Sequence, residues 1–268
     1  MGLPTNATPG QRAAAVGLPL LAGLVLFFLV APIVLVVPLS FTAGELLVYP
    51  IPGWSLRWYH DFFTNEMWTT ALRNSLVLAV ITTVTATTLG TLAALGLHGL
   101  ASPRLRALLI GLLVTPLVIP LVIVAVAIFY YYARLGLSGS FIGLVIAHTV
   151  LALPFVVVTV AATLQGFDRN LSRAAASLGA RPATAFVRIT LPLIAPGVIS
   201  GALFAFVTSF DELLVVLFIA SPTQRTLPRQ IYSGVSESIS PTVTAAAVVL
   251  VVVTLGLMGV VELLRRRA

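Results

Sequence analysis

The chain has 268 residues, 59% of them hydrophobic and only 9% charged, with a formal net charge of +7. A soluble globule needs more polar surface than that to cover itself, so the composition excludes one and points to an integral membrane protein. Cysteine is absent, which excludes disulfides and thiolate metal sites, and all 15 basic residues are arginine, which excludes a Walker A loop with its Gly-Lys-Ser/Thr ending.

Apolar runs long enough to cross a hydrocarbon layer of ~30 Å, each of roughly 20 residues, occur at about 14–41, 70–97, 106–132, 141–164, 191–220 and 242–264. They predict an all-α, polytopic membrane protein with six transmembrane helices. The first run follows Arg12 as a signal peptide would. It is too long for a signal h-region and has no small-x-small cleavage site, so it is expected to be retained. An even number of spans puts both termini on one side. Arg12, Arg104, Arg106, Arg169, Arg173, Arg181, Arg188 and Arg265 to Arg267 fall on that side, ten against the five of Arg57, Arg73, Arg134, Arg225 and Arg229. By the positive-inside rule the termini are expected in the cytoplasm. The arginines are scattered through loops and membrane flanks without a continuous basic face, so anionic lipid suits them as a partner and nucleic acid does not.

Residues 42–69 form the longest outer loop and carry Trp54, Trp58, Tyr59, Phe62, Phe63 and Trp68. Ser55 is placed to cap a short helix there, and the aromatics fit either a membrane-surface anchor or a contact for a binding protein, the anchor being favoured. In the second span Thr83, Thr87, Gly90, Thr91 and Ala94 share one stripe, the pattern of close helix packing. Pro116 and Pro120 in the third span and Pro154 in the fourth are expected to bend or break their helices. Gly139 and Gly143 open the fourth span with a spacing that suits helix contact. His60, His98 and His148 are far apart and lack ligand spacing. His148 alone lies within a span, where a buried, satisfied histidine outweighs a proton relay. No Ser/His/Asp arrangement or His-Glu-x-x-His is present, and neither hydrolytic chemistry nor a cofactor or metal is expected.

Between the fourth and fifth spans lies a polar, arginine-rich insert. Asp168 is a plausible N-cap; Leu171, Ala174, Ala175 and Leu178 share one helical face; Gly179 suits a left-handed helix end; Pro182 suits the first turn of a second short helix. Small alanines on that face would let a partner's backbone approach, whereas an ordinary amphipathic loop helix is the plain alternative.

Asp211 and Glu212 interrupt the fifth run about nine or ten residues from its outer end, hence roughly 15 Å deep at 1.5 Å per residue. Each carboxylate there costs about 2.5–3.5 kcal/mol, so it is expected to face protein or water. At helical spacing behind the pair come Thr208, Phe204 or Ala205, Gly201 and Gly197, a small and partly polar stripe fit to line a path. Neighbouring residues on a helix point about 100° apart. One acid is therefore expected to line the pathway while the other pairs with an arginine or a helix end, unless both serve only inter-helix contacts.

Ala174-Ala175, Gly179 and Ile189-x-Leu191-Pro192 together resemble the Glu-Ala-Ala loop of the membrane subunits of ABC importers, with Arg173 where that family usually has glutamate. The resemblance covers roughly residues 70–264. Within the family, Ser209 to Ser233, Ile239-Ser240-Pro241-Thr242, the Arg104 region and Phe167 to Ala180 are similar to the second permease subunit of spermidine/putrescine importers. The resemblance implies a type I ABC importer permease fold, with residues 1–69 as an N-terminal helix and outer loop and 70–264 as the transmembrane domain carrying a coupling loop at 165–190. It implies a bacterial inner-membrane subunit that forms half of a pathway and is not itself an enzyme. Its partners would be a homologous second permease, two ATP-binding subunits at the cytoplasmic loop and an extracytoplasmic substrate-binding protein. Residues carried over are Arg173, Ala174, Ala175, Gly179, Ile189, Leu191 and Pro192 for coupling; Asp211, Glu212, Thr208 and Phe204 are expected along the substrate path. A small cation, polyamine above all, is the expected cargo. Another nitrogenous solute, an ATPase-independent secondary transporter or channel, and a non-transporting scaffold are the alternatives.

Overall fold

The computed structural model describes residues 8–237 and 239–267. The first seven residues of the 1–69 region lie outside the described residues, as do the side chains of Arg12, Arg169 and Arg265 to Arg267 counted above for topology. The described chain is a succession of helices with one isolated bridge, Thr42 to Trp54. Five helices are long and apolar enough to cross a membrane, and a bent pair makes a sixth span if counted as one.

The long helices are α1 (Pro9–Ser40), α3 (Glu66–Gly99), α6 (Phe141–Gln165), α9 (Leu191–Phe210) and α12 (Pro241–Arg267); α2 (Arg57–Thr64) lies in the loop after α1. Local chemistry sets their ends. The Asn65 side chain accepts the Met67 amide at 3.0 Å to start α3, and Ser140 accepts the Gly143 amide at 3.0 Å to start α6. The core is the contact of α3, α6 and α9, where Ala86, Ala94, Ala152 and Ala205 are buried with Val156 and Ile194. Small residues let these backbones approach closely: a Cβ on Gly90 would sit 2.7 Å from the Val156 Cβ. Gly90 and Ala94 of the predicted stripe thus pack in the core with α6, and Thr85, outside that stripe, hydrogen-bonds Thr149 of α6 at 2.8 Å.

Two expectations change. Gly139 and Gly143 do not bring two helices together. Gly139, at φ +73°, turns the chain into α6 and donates its amide to the Ile219 carbonyl at 2.7 Å, while a Cβ on Gly143 would collide with the Leu137 carbonyl. The aromatic loop is not one surface anchor: Phe62 and Trp68 are buried with Leu227, Val243 and Ala246, while Trp54 and Phe63 remain exposed. The N-cap of the short helix is Leu56, without a side-chain cap bond, and Ser55 one residue earlier accepts the Arg57 amide at 3.1 Å. The third run is broken as expected: two helices, α4 (Pro103–Val118) and α5 (Leu121–Leu135), meet at a 100° bend at Ile119-Pro120. Pro120 has no amide to continue the helix and pushes Ile119 into an extended conformation, whereas Pro116 stays inside α4 and Pro154 does not interrupt α6.

Candidate functional site

The polar insert folds as expected at its start and turn. Helix α7 (Arg169–Ser177) begins where Asp168 accepts the Asn170 amide at 2.8 Å, and it ends with Gly179 at φ +81°. The Gly179 amide bonds the Ala176 carbonyl at 2.9 Å and the Ala180 amide the Ala175 carbonyl at 3.0 Å, a closure that needs the left-handed residue. The predicted face divides, however. Ala175 is buried against the protein, whereas Arg173, Ala174 and Leu178 are exposed, Leu178 by 89%.

Pro182 opens α8 (Pro182–Ala185), but that helix is not separate: a π-helical turn, Phe186–Thr190, joins it directly to α9, so the span runs Pro182–Phe210. Pro192 has no amide and its ring crowds the carbonyl one turn back. The wider turn, closed by the Leu191 amide on the Phe186 carbonyl, accommodates it. Ile189 and Leu191 are half-buried in this junction and Pro192 is exposed.

The fifth run also ends earlier than its composition suggests. Helix α9 stops at Phe210, Asp211 to Leu213 form a break, and α10 (Leu214–Ile219) follows as a separate short helix. Asp211 and Glu212 therefore do not sit on one helix. Asp211 is exposed. Glu212 is only 5% exposed; its carboxylate accepts the Val215 amide at 2.7 Å and the Val216 amide at 3.1 Å, capping α10. Its partner is no arginine. The His148 Nε2 lies 3.6 Å from Glu212 Oε2, and His148 Nδ1 is 2.8 Å from the Ser209 hydroxyl. At the other end of α10, Arg229 from α11 (Leu227–Glu237) donates to the Val216 and Ala220 carbonyls at 3.3 and 2.9 Å. An acid at the start and a base at the end of α10 both match its dipole. The pairing of His148 with Glu212 was missing from the sequence reading; the signal available was that His148 is the one histidine inside a span.

The small stripe on α9 divides as well. Gly197, Gly201 and Ala205 are buried, and a Cβ on Gly201 would meet the Thr159 hydroxyl at 2.7 Å, so these residues pack α9 on α6 and line no path. Phe204 and Thr208 lie on the freer side. Phe204 stacks on Phe155, centroids 6.0 Å apart and planes within 20°. Phe155, Thr208 and Asp211 border a cavity of about 730 Å3 whose opposite wall is the α4–α5 break, Pro116 to Leu121. The charged residues among those lining it are Asp211 and Glu212, and none is basic. Of the expected path residues, Thr208, Asp211 and Glu212 border this cavity, Glu212 with its carboxylate folded back onto the α10 amides, and Phe204 reaches it through its stack on Phe155.

Residues 86–268 match the family described as binding-protein-dependent transport system inner membrane component. The chain belongs to that family. It is accordingly an inner-membrane transport subunit and not an enzyme. Among relatives, the spermidine/putrescine transport system permease protein PotC of Escherichia coli K12 is 32% identical over 89% of this chain and 90% of its own length. The putrescine transport system permease protein PotI of the same strain is 32% identical over 87% and 84%. The trehalose transport system permease protein SugB of Mycobacterium tuberculosis is 31% identical over 78% and 77%. The permease has the type I ABC importer fold: a bacterial ABC transporter that imports the acidic polysaccharide alginate superposes with a TM-score of 0.75 at 18% identity, covering 96% of both chains.

Proposed function

We propose that this permease forms half of the membrane pathway of an ATP-driven importer of polyamines such as spermidine and putrescine. The observation that carries the reading is the exposed carboxylate of Asp211 in a cavity without a basic side chain, where two spans break. Such a site lowers the energy of a passing polycation and repels an anion. The stacked Phe204 and Phe155 add aromatic faces for ammonium groups and methylenes, and Thr208 adds a hydroxyl. The similarity to polyamine permeases supports the same cargo. In this reading the termini and the 165–190 loop are cytoplasmic. Arg173, Ala174, Ala175 and Gly179, with the junction at Ile189, Leu191 and Pro192, carry motion from two ATP-binding subunits. A homologous second permease completes the path, an extracytoplasmic binding protein delivers cargo, residues 1–69 supply an N-terminal transmembrane helix and outer loop, and 70–264 form the transmembrane domain.

Reconstitution with the cognate subunits tests this. ATP-dependent uptake of labelled spermidine, competed by putrescine and not by trehalose, is expected. Uptake without ATP hydrolysis would make the chain part of a secondary transporter or channel. ATP hydrolysis stimulated by a binding protein loaded with another solute, without polyamine uptake, would move the cargo elsewhere.

A further inference from the structure

The break between α9 and α10 contains nothing that forces it. Residues 202–221 include neither glycine nor proline, and apart from the acidic pair and three hydroxyl residues they are apolar, a composition that propagates a helix. In a continuous helix the Val215 and Val216 amides would bond the Asp211 and Glu212 carbonyls. Here both go to the Glu212 carboxylate instead. Two backbone bonds are exchanged for two side-chain bonds, so the broken form is favoured only while that carboxylate stays in place.

His148 faces it, with Nε2 3.6 Å from Oε2, a close contact outside hydrogen-bond distance. The ring is fully buried on α6, one nitrogen on the Ser209 hydroxyl at the end of α9 and the other facing Glu212. We infer that His148 is a positioning residue for transport: with Ser209 it keeps Glu212 over α10, holds the helix broken at 211–213, and so keeps the Asp211 carboxylate facing the cavity. His148 acts through Glu212 and Asp211 and does not touch cargo. This inference rests on the proposed role of Asp211 in the path.

A double-mutant cycle in the reconstituted transporter tests it, with maximal uptake of labelled spermidine as the readout and binding-protein affinity and thermal stability measured alongside. His148→Ala and Asp211→Asn are each expected to lower uptake about tenfold, and the double variant to transport no worse than the weaker single one, because residues acting as a unit are non-additive. His148→Gln, which keeps a polar side chain facing Glu212, is expected to recover most of the uptake. If His148→Ala fails to assemble, Ser209→Ala, which removes one hydroxyl from an intact ring, carries the same cycle. Losses that multiply in the double variant would overturn the inference while leaving the cargo path intact. Wild-type uptake by Asp211→Asn alone would instead overturn the cargo path, and the inference with it.

Discussion

The bend between α4 and α5 and the gap between α9 and α10 border one cavity but are made of different chemistry. The first is written into the backbone: Pro120 lacks an amide and restricts Ile119, and a 100° bend follows. The second is held by side chains, with Glu212 and His148 on one side and Arg229 on the other. A proline removes a backbone bond wherever it stands, although Pro116 and Pro154 do so inside helices that continue. A break held by side chains depends on contacts from other helices, so helix motion reshapes the wall carrying Asp211 more readily than the proline wall.

The largest expected effect is at the second break. Glu212→Ala removes both amide acceptors and leaves His148 facing a void, so it is expected to cost about 2–4 kcal/mol, read from thermal unfolding of the purified complex. A loss below 0.5 kcal/mol, within the ordinary range for surface substitutions, would break the contrast. Gly179→Val places a β-branched residue at φ +81°, with a strain of about 1–2 kcal/mol. Membrane insertion should survive while substrate-stimulated ATP hydrolysis falls, and wild-type stimulation would remove the loop from the coupling path. Pro120→Ala acts mainly through the unfolded chain and should change stability by about 0.4–1 kcal/mol. Uptake should fall further than that loss suggests, because Ile119 regains access to helical conformations and the cavity wall loses its fixed bend. Unchanged uptake would show that the first break is held by packing as well. Arg173→Ala is expected to be the mildest, weakening association with the ATP-binding subunit by ~0–1 kcal/mol, as for an exposed ion pair. Complete loss of assembly in a pull-down would contradict this.

The contrast between the breaks also explains what was legible in the sequence. Features fixed locally could be read directly: the break at Pro120, the left-handed Gly179, the Asp168 cap, and the number of spans set by apolar length. The family fold followed from the spacing around Ala174, Gly179 and Leu191. Features that depend on a tertiary partner could not be read. The apolar run 191–220 looks like one helix because nothing local ends it, and the residue that stabilises its break, His148, is more than 60 positions away on α6. The same reason hid which of Phe204, Ala205, Gly201 and Gly197 face free space, since α6 covers three of them. The start of that span was misplaced for a related reason. A polar loop was expected to run to residue 190, but a π turn lets the helix pass through it.

Because the chain has no cysteine, the placement of the acidic pair can be measured with single thiols. In the assembled transporter, Asp211→Cys and Glu212→Cys would be treated with a small, water-soluble, positively charged thiol reagent, with and without saturating spermidine. The account predicts rapid modification at position 211, slowed by spermidine, and little at position 212. Equal modification at both positions, or labelling at 211 that spermidine leaves unchanged, would contradict an Asp211-lined polyamine path.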